Sequence, residues 1–264
     1  MLHAGGPLFV ALLALVGYGV AALPAAAVGR LSALALVAGW LAHLVVLVLD
    51  IGGWGQPLPG ARLGFAPVLS VTVWLVVAVC TIVSRLVPLP AVRRWLALAG
   101  AAAVLLAATF PGEPRVHPSP LAPLHFALGV ASYGLFGAAV LHASMLDTAE
   151  RRLRLRSSQT GGAFGMPMLQ LERHTFRFVE AGFVMLTATL LIGTLSTTQW
   201  RWDHKTVFSL LGWAVFAALL AGRHWRGWRG RRATRWLYAG AVLLLLGYVG
   251  SRFVLEVLLG RPAA

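Results

Sequence analysis

The chain has 264 residues, of which 59% are hydrophobic and only 11% charged, and its mean hydropathy is +0.80. No ordinary soluble domain of this length shows that balance. A formal net charge of +14 would point to nucleic acid in a soluble protein. Here the cations lie between apolar segments, where they set topology and touch anionic lipid, so the bilayer is the expected partner and nucleic acid is excluded.

Apolar segments run over roughly 6–24, 31–51, 66–84, 92–110, 121–146, 176–198, 205–223 and 234–255. Each is close to the ~20 residues that cross ~30 Å of hydrocarbon. They predict an all-α polytopic membrane protein of about eight transmembrane helices, built as one integral membrane domain over 1–264. The first segment lacks the basic n-region of a signal peptide, since Met1–Gly6 holds no Lys or Arg, and reads as a retained helix. The second carries His43 and ends at Asp50. The third holds Cys80, the only cysteine, so the chain contains neither an internal disulfide nor a C-x-x-C redox pair, and no C-x-x-C-H haem-attachment site. Connections Trp54–Pro67 and Pro111–Pro123 are proline-rich and cannot continue a helix.

The fifth segment carries His125 near its start and His142 seventeen residues later. Those two are about 25 Å apart along a helix and cannot share one site. The connection 147–175 opens on Glu150-Arg151-Arg152-Leu153-Arg154-Leu155-Arg156 and turns polar and glycine-rich through Ser157–Gly162. It reads as a topology-setting charge run followed by a connector, and with 223–235 it is the surface where a protein partner would dock. Before the seventh segment stands Trp200-Arg201-Trp202-Asp203-His204. With the amino terminus outside, six of the 22 Lys and Arg fall on the outer side and sixteen on the other. The positive-inside rule then puts the 147–175 loop in the cytoplasm and both termini outside, in a multi-pass protein of the bacterial inner membrane. Most tryptophans fall near segment ends, as an interfacial belt does.

Ionisable groups inside hydrocarbon are costly and are functional candidates by default. His43 lies about 10 Å below the outer end of the second helix, and His125 about 6 Å below that of the fifth. His204 sits at the outer mouth of the seventh. Each imidazole could be interhelical glue, but two at one depth on different helices also suit haem iron or another transition metal. Carboxylates that a hydrated metal would recruit are not suitably spaced. Flat tryptophans, outward arginines and paired histidines fit a porphyrin better.

Several runs resemble the cytochrome c assembly proteins of the CcsA and CcmC kind. Trp200-Arg201-Trp202-Asp203 is similar to that family's tryptophan-rich WWD signature. Leu124-His125-Phe126 with Ser132-Tyr133 resembles its "H…SY" helix, whose histidine is a haem ligand near the periplasmic face. From Pro167…Leu171-Glu172…Phe176 through Gly182-Phe183…Leu186-Thr187-Ala188-Thr189-Leu190…Gly193 and Asp203–Leu210 to Gly247-Tyr248-Val249-Gly250-Ser251-Arg252, the chain looks like the YpjD/HemX-like subgroup of inner-membrane proteins. Departures are visible. His204 and Thr206 stand where the fuller WWD pattern has Pro and Glu, and Gly250-Ser251-Arg252-Phe253 replaces the histidine that haem-delivering members carry on the last helix.

The resemblance implies a haem-binding inner-membrane protein that presents haem near the periplasmic face. His125 would be the main axial ligand, and His43 or His204 the second. Trp200 and Trp202 would pack on the macrocycle beside Asp203, and Arg201, Lys205 or Arg252 would meet the propionates. No nucleophile–base arrangement or carboxylate pair appears, and no enzyme activity is expected. The alternative is a HemX-like non-enzymatic scaffold or regulator acting through the basic cytoplasmic loops. A transporter is disfavoured, because no acidic residue lies near a helix midplane.

Overall fold

Helices occupy nearly all of the chain that the computed structural model describes, namely residues 5–24, 31–53, 61–84, 90–115, 120–154, 168–196 and 202–259. Contacts group the chain into two compact units, Met1–Pro118 with Leu255–Ala264, and Ser119–Val254. In the first unit run α1 (Gly5–Ala22), α2 (Leu31–Ile51), α3 (Phe65–Ser84) and α4 (Pro90–Thr109). In the second run α5 (Ala122–Arg154), α6 (Met168–Ser196), α7 (His204–Arg226) and α8 (Gly230–Leu245). The helical path of α8 continues through π-helical turns at Leu246–Gly250 and Val254–Leu258. Among the described residues, seven helices are long and apolar enough to cross a membrane, and α1 contributes a shorter apolar stretch, Pro7–Ala22. The outward faces of these helices are apolar: Leu8, Leu34, Ile82, Val184 and Leu195 are all exposed, as lipid-facing positions must be where water does not drive helices together. The protein is an all-α polytopic membrane protein.

Helix boundaries agree with the hydropathy segments within a few residues except at the charged ends. The expected cytoplasmic loop 147–175 is helical over its first eight and last eight residues, because α5 runs on to Arg154 and α6 begins at Met168. Asp147-Thr-Ala-Glu-Arg-Arg-Leu-Arg is polar but made largely of strong helix formers, so the helix continues past the point where hydropathy stops.

Unit 1 is tied by close approach and by buried hydrogen bonds. A Cβ placed on Gly17 of α1 would stand 2.6 Å from the Cα of Gly39 on α2, so glycine at that crossing is what lets the two backbones touch. Between α2 and α3, Trp40 and Trp74 stack with ring centroids 4.7 Å apart. Each indole N–H donates to the other residue's carbonyl at 3.1 Å, a reciprocal clasp that satisfies both polar tips of two large apolar side chains. Within the proline-rich connections lies a feature the hydropathy pattern did not show. Strand β1 (Ala61–Leu63) pairs antiparallel with β2 (Glu113–Arg115), with Arg62 opposite Pro114. Proline is tolerated because each strand of a two-stranded pair has an open edge. Arg62 fixes the pair, donating to the Gly112 carbonyl at 2.9 Å and lying 3.5 Å from Asp50 at the end of α2. Glu256 accepts from the N–H of Phe65 at 3.4 Å and so satisfies a donor at the N-terminus of α3.

Unit 2 packs α5 to α8 around an aromatic and aliphatic core in which Phe136 and Phe216 stack with centroids 3.9 Å apart. Polar ties join the helices at intervals. The Trp213 indole donates to Thr187 Oγ1 at 2.9 Å, and Asp147 accepts from Thr234 at 3.0 Å and Tyr238 at 2.8 Å. The Tyr133 hydroxyl donates to the Leu244 carbonyl at 2.5 Å, immediately before the first π turn. A π turn shifts the backbone ladder by one residue, and a side-chain donor at that point takes up a carbonyl the regular ladder would serve differently.

Candidate functional site

Histidines are the groups whose placement the hydrocarbon has to justify, and the two expected iron ligands sit in opposite chemical settings. His43 on α2 is completely buried. Its Nδ1 lies 3.0 Å from the Tyr18 hydroxyl of α1, and its Nε2 lies 2.8 Å from the Ser70 hydroxyl of α3. Tyr18 and Ser70 are themselves fully or almost fully buried. A hydroxyl both donates and accepts, so either tautomer of the ring is satisfied by rotating the two O–H groups. Neither nitrogen can take a metal without breaking one of these bonds. The structure gives His43, one of the two residues considered as second iron ligand, hydrogen-bond partners on both ring nitrogens within three helices of unit 1.

His125 is different. It stands one turn into α5, partly exposed, with Nδ1 3.0 Å from the backbone carbonyl of Thr189 on α6. A carbonyl only accepts, so Nδ1 carries a proton, and in the neutral ring the lone pair resides on Nε2. Metal-binding histidines are held in this way, with one ring nitrogen donating to a backbone carbonyl while the other ligates. Gly193, one turn beyond Thr189, makes room for the ring: a Cβ there would be 3.0 Å from His125 Cε1. Thr189 and Gly193 belong to the Thr187–Gly193 run that resembles the family, but no role for them was legible. Only the spacing of small residues at i and i+4 on one face of α6 hints that a side chain from another helix crosses there.

The run that precedes α7 divides between described and undescribed residues. Trp200 and Arg201 lie outside the described residues. Trp202 is 73% exposed. Asp203 is the N-cap of α7, its carboxylate accepting from the backbone N–H of Thr206 at 2.8 Å. Partial burial pushes that carboxyl upward, but the Thr206 hydrogen bonds and the nearby Lys205 and His204 outweigh it, and the group titrates below the usual carboxylate range. Asp-x-x-Thr at a helix start is thus first of all a cap. His204 and Lys205 open the helix and are exposed. Arg252, expected near the propionates, is 8% exposed, with its guanidinium 5.5 Å from the Tyr248 ring centroid. His142 is buried and bonds the Ala138 carbonyl of its own helix at 2.8 Å, beside the Phe178 ring. Among the described residues no three His, Cys, Asp or Glu side chains gather as a bare metal ion would need.

Comparison with known proteins places the chain in a family. The profile of the family described as "Cytochrome C assembly protein" matches residues 28–259. Inner membrane protein YpjD of Escherichia coli (strain K12) is 31% identical over 245 residues, 87% of this chain and 88% of that protein. Cytochrome c biogenesis protein CcsA of Prochlorococcus marinus (strain MIT 9515) is 32% identical over 155 residues, half of each chain. CcsA of Parasynechococcus marenigrum (strain WH8102) is 30% identical over 153 residues. No solved structure matches. Membrane-length apolar helices and a relative named for the inner membrane identify a multi-pass inner-membrane protein. A profile match over nearly the whole length, with a relative aligned across 87% of the chain, is enough to assign it: this protein belongs to the cytochrome c assembly family.

Proposed function

We propose that the chain binds haem through His125 and presents it on the non-cytoplasmic face of the membrane during cytochrome c assembly. The observation that carries this reading is the 3.0 Å contact from His125 Nδ1 to the Thr189 carbonyl, which fixes the tautomer with the lone pair on Nε2. Haem supplies an iron centre whose electronic properties are set by its axial ligands. The chain's own contribution is to orient one imidazole, leave it room at Gly193, and hold charge nearby. His204, exposed at the start of α7, is the second ligand in this proposal, because His43 has both nitrogens committed to hydroxyls. Lys205 and Arg201 are the propionate partners, and Trp200 and Trp202 pack on the macrocycle. The activity is binding and presentation, with no catalytic step assigned to the protein.

The test is the absorption spectrum of the purified protein in mild detergent, oxidised and reduced, beside His125→Ala. A Soret band with sharp reduced α and β bands that collapses in the variant is the expected result. Unchanged haem occupancy in His125→Ala overturns the ligand assignment. A featureless spectrum after adding haemin replaces the reading with that of a scaffold acting through the basic segments 147–175 and 223–235.

A further inference from the structure

A cleft of about 430 Å³ opens in unit 2 between the middle of α6 and the C-terminal end of α7, lined by Glu180, Leu220, Arg223, His224, Gly227 and Arg229. That volume is in the range of small-ligand pockets. We propose that it holds the headgroup of a membrane aminophospholipid, with the phosphate against Arg223, His224 and Arg229 and the ammonium against Glu180.

Arg223 is fixed before any ligand arrives. Its Nη1 donates to Glu172 at 2.8 Å and its guanidinium lies 3.5 Å from the Phe176 ring centroid. A guanidinium has five N–H donors in a rigid fork, so one bond to Glu172 leaves others to meet phosphate oxygens. Arg229 comes only within 3.9 Å of the same carboxylate, and its side chain is 71% exposed. It is a second cation held loosely at the rim. Gly227 terminates α7 in the left-handed region at φ 63°, and this turn brings the chain back so that Arg229 faces the cleft.

Glu180 decides the class of ligand. A wholly anionic group would meet its carboxylate, whereas a headgroup with a phosphate at one end and an N–H donor at the other matches the wall charge for charge. Depth agrees. Val184, one turn further along α6, is exposed and apolar, so on that helix face Glu180 stands where charge gives way to hydrocarbon. Trp225, 80% exposed at the end of α7, marks the headgroup level as interfacial tryptophans do. Leu220 lines the apolar side of the cleft, where the glycerol and first acyl carbons would lie.

Nothing in this site depends on haem. The experiment is native mass spectrometry of the full chain in detergent, offered equal amounts of phosphatidylethanolamine and phosphatidylcholine with the same acyl chains. The wild type is expected to retain phosphatidylethanolamine about fivefold over phosphatidylcholine, which lacks the N–H donors. Glu180→Gln brings that ratio close to one. Arg229→Gln lowers retention of both lipids by about fivefold, since one cation near a lipid phosphate contributes about 1 kcal/mol. Both side chains are exposed, so neither change threatens the fold, and either variant alone decides the matter. Equal retention of the two lipids by the wild type overturns the proposal, as does unchanged retention in either variant. Displacement of the lipid by millimolar inorganic phosphate reassigns the cleft to a soluble anion and overturns it too.

Discussion

His43 and His125 are both single imidazoles on membrane helices, yet their hydrogen-bond partners give them different chemistry. The two partners of His43 are hydroxyls, which follow whichever tautomer the ring adopts. Its Nδ1-side and Nε2-side bonds link α1, α2 and α3, and the ring is wholly enclosed. The Nδ1 partner of His125 is a carbonyl, which tolerates one tautomer only, and the residue is partly exposed. A hydroxyl-flanked histidine serves as interhelical glue. A carbonyl-fixed one is pre-organised with its lone pair at a known atom. What separates the two is the partner atom, and neither residue type nor depth in the membrane reveals it.

Replacing His43 is the largest expected perturbation. His43→Ala removes a buried ring and leaves two buried hydroxyls without their shared partner, so it should cost about 2–4 kcal/mol. Thermal unfolding in detergent measures this as a drop of many degrees, while the haem spectrum of whatever protein remains folded should keep its bands. A His43→Ala protein of wild-type stability, or one that folds but has lost its haem bands, would erase the distinction between the two sites. Tyr18→Phe tests the same network more gently. It removes one hydroxyl and keeps the ring in place, for an expected loss of about 1 kcal/mol, since interhelical bonds inside membranes contribute on that order or less.

Much of the helical scaffold was legible in the sequence, and the reason the rest was not is specific. Hydropathy located α2 at 31–51 to the residue because both its ends coincide with loss of apolar character. It misplaced the C-terminal end of α5 and the N-terminal end of α6 because helix propensity and hydropathy diverge over Asp147–Arg154 and Met168–Thr175. The β1–β2 pair escaped notice, because Arg62 and Pro114 are 52 positions apart and three-residue strands carry no periodicity to read. At the sites, His125 and His43 stood out as ionisable groups at membrane depth. Their partners did not. Tyr18 and Ser70 are 25 and 27 residues from His43 on separate helices, and the Thr189 partner is a backbone atom that any residue would supply. A single sequence shows which polar groups need partners, and only the packing shows which partners they find.

Gly193→Ala sharpens the comparison from the His125 side. The added methyl would meet Cε1 at 3.0 Å, closer than an ordinary contact, and would push the ring off its rotamer at a cost of about 0.5–1.5 kcal/mol. Haem affinity should fall about two- to tenfold with shifted bands, measured by haemin titration. Thermal stability should fall only by about that strain, because the substitution leaves the Tyr18–His43–Ser70 network intact. An unaltered titration would mean the imidazole is not held against α6 in the binding state.

The smallest effect belongs to Asp203, whose place in a WWD-like run suggested a cofactor role and whose geometry is that of a helix cap. Asp203→Ala removes the acceptor for the Thr206 N–H and should lower stability by about 1 kcal/mol or less, given the exposure of the site. The folded carboxyl titrates below its ordinary range, so the cap contributes fully above the unfolded value of about 3.9 and is lost as pH falls through the lower folded value. The unfolding temperatures of wild type and Asp203→Ala should therefore differ by a constant amount from pH 7 down to about 5 and converge on further acidification. Asp203→Asn caps without a charge and should track the wild type at neutral pH without that acid dependence. If Asp203→Asn instead abolishes the haem bands while leaving the unfolding temperature unchanged, the carboxylate acts on the ligand and the cap is incidental to its role.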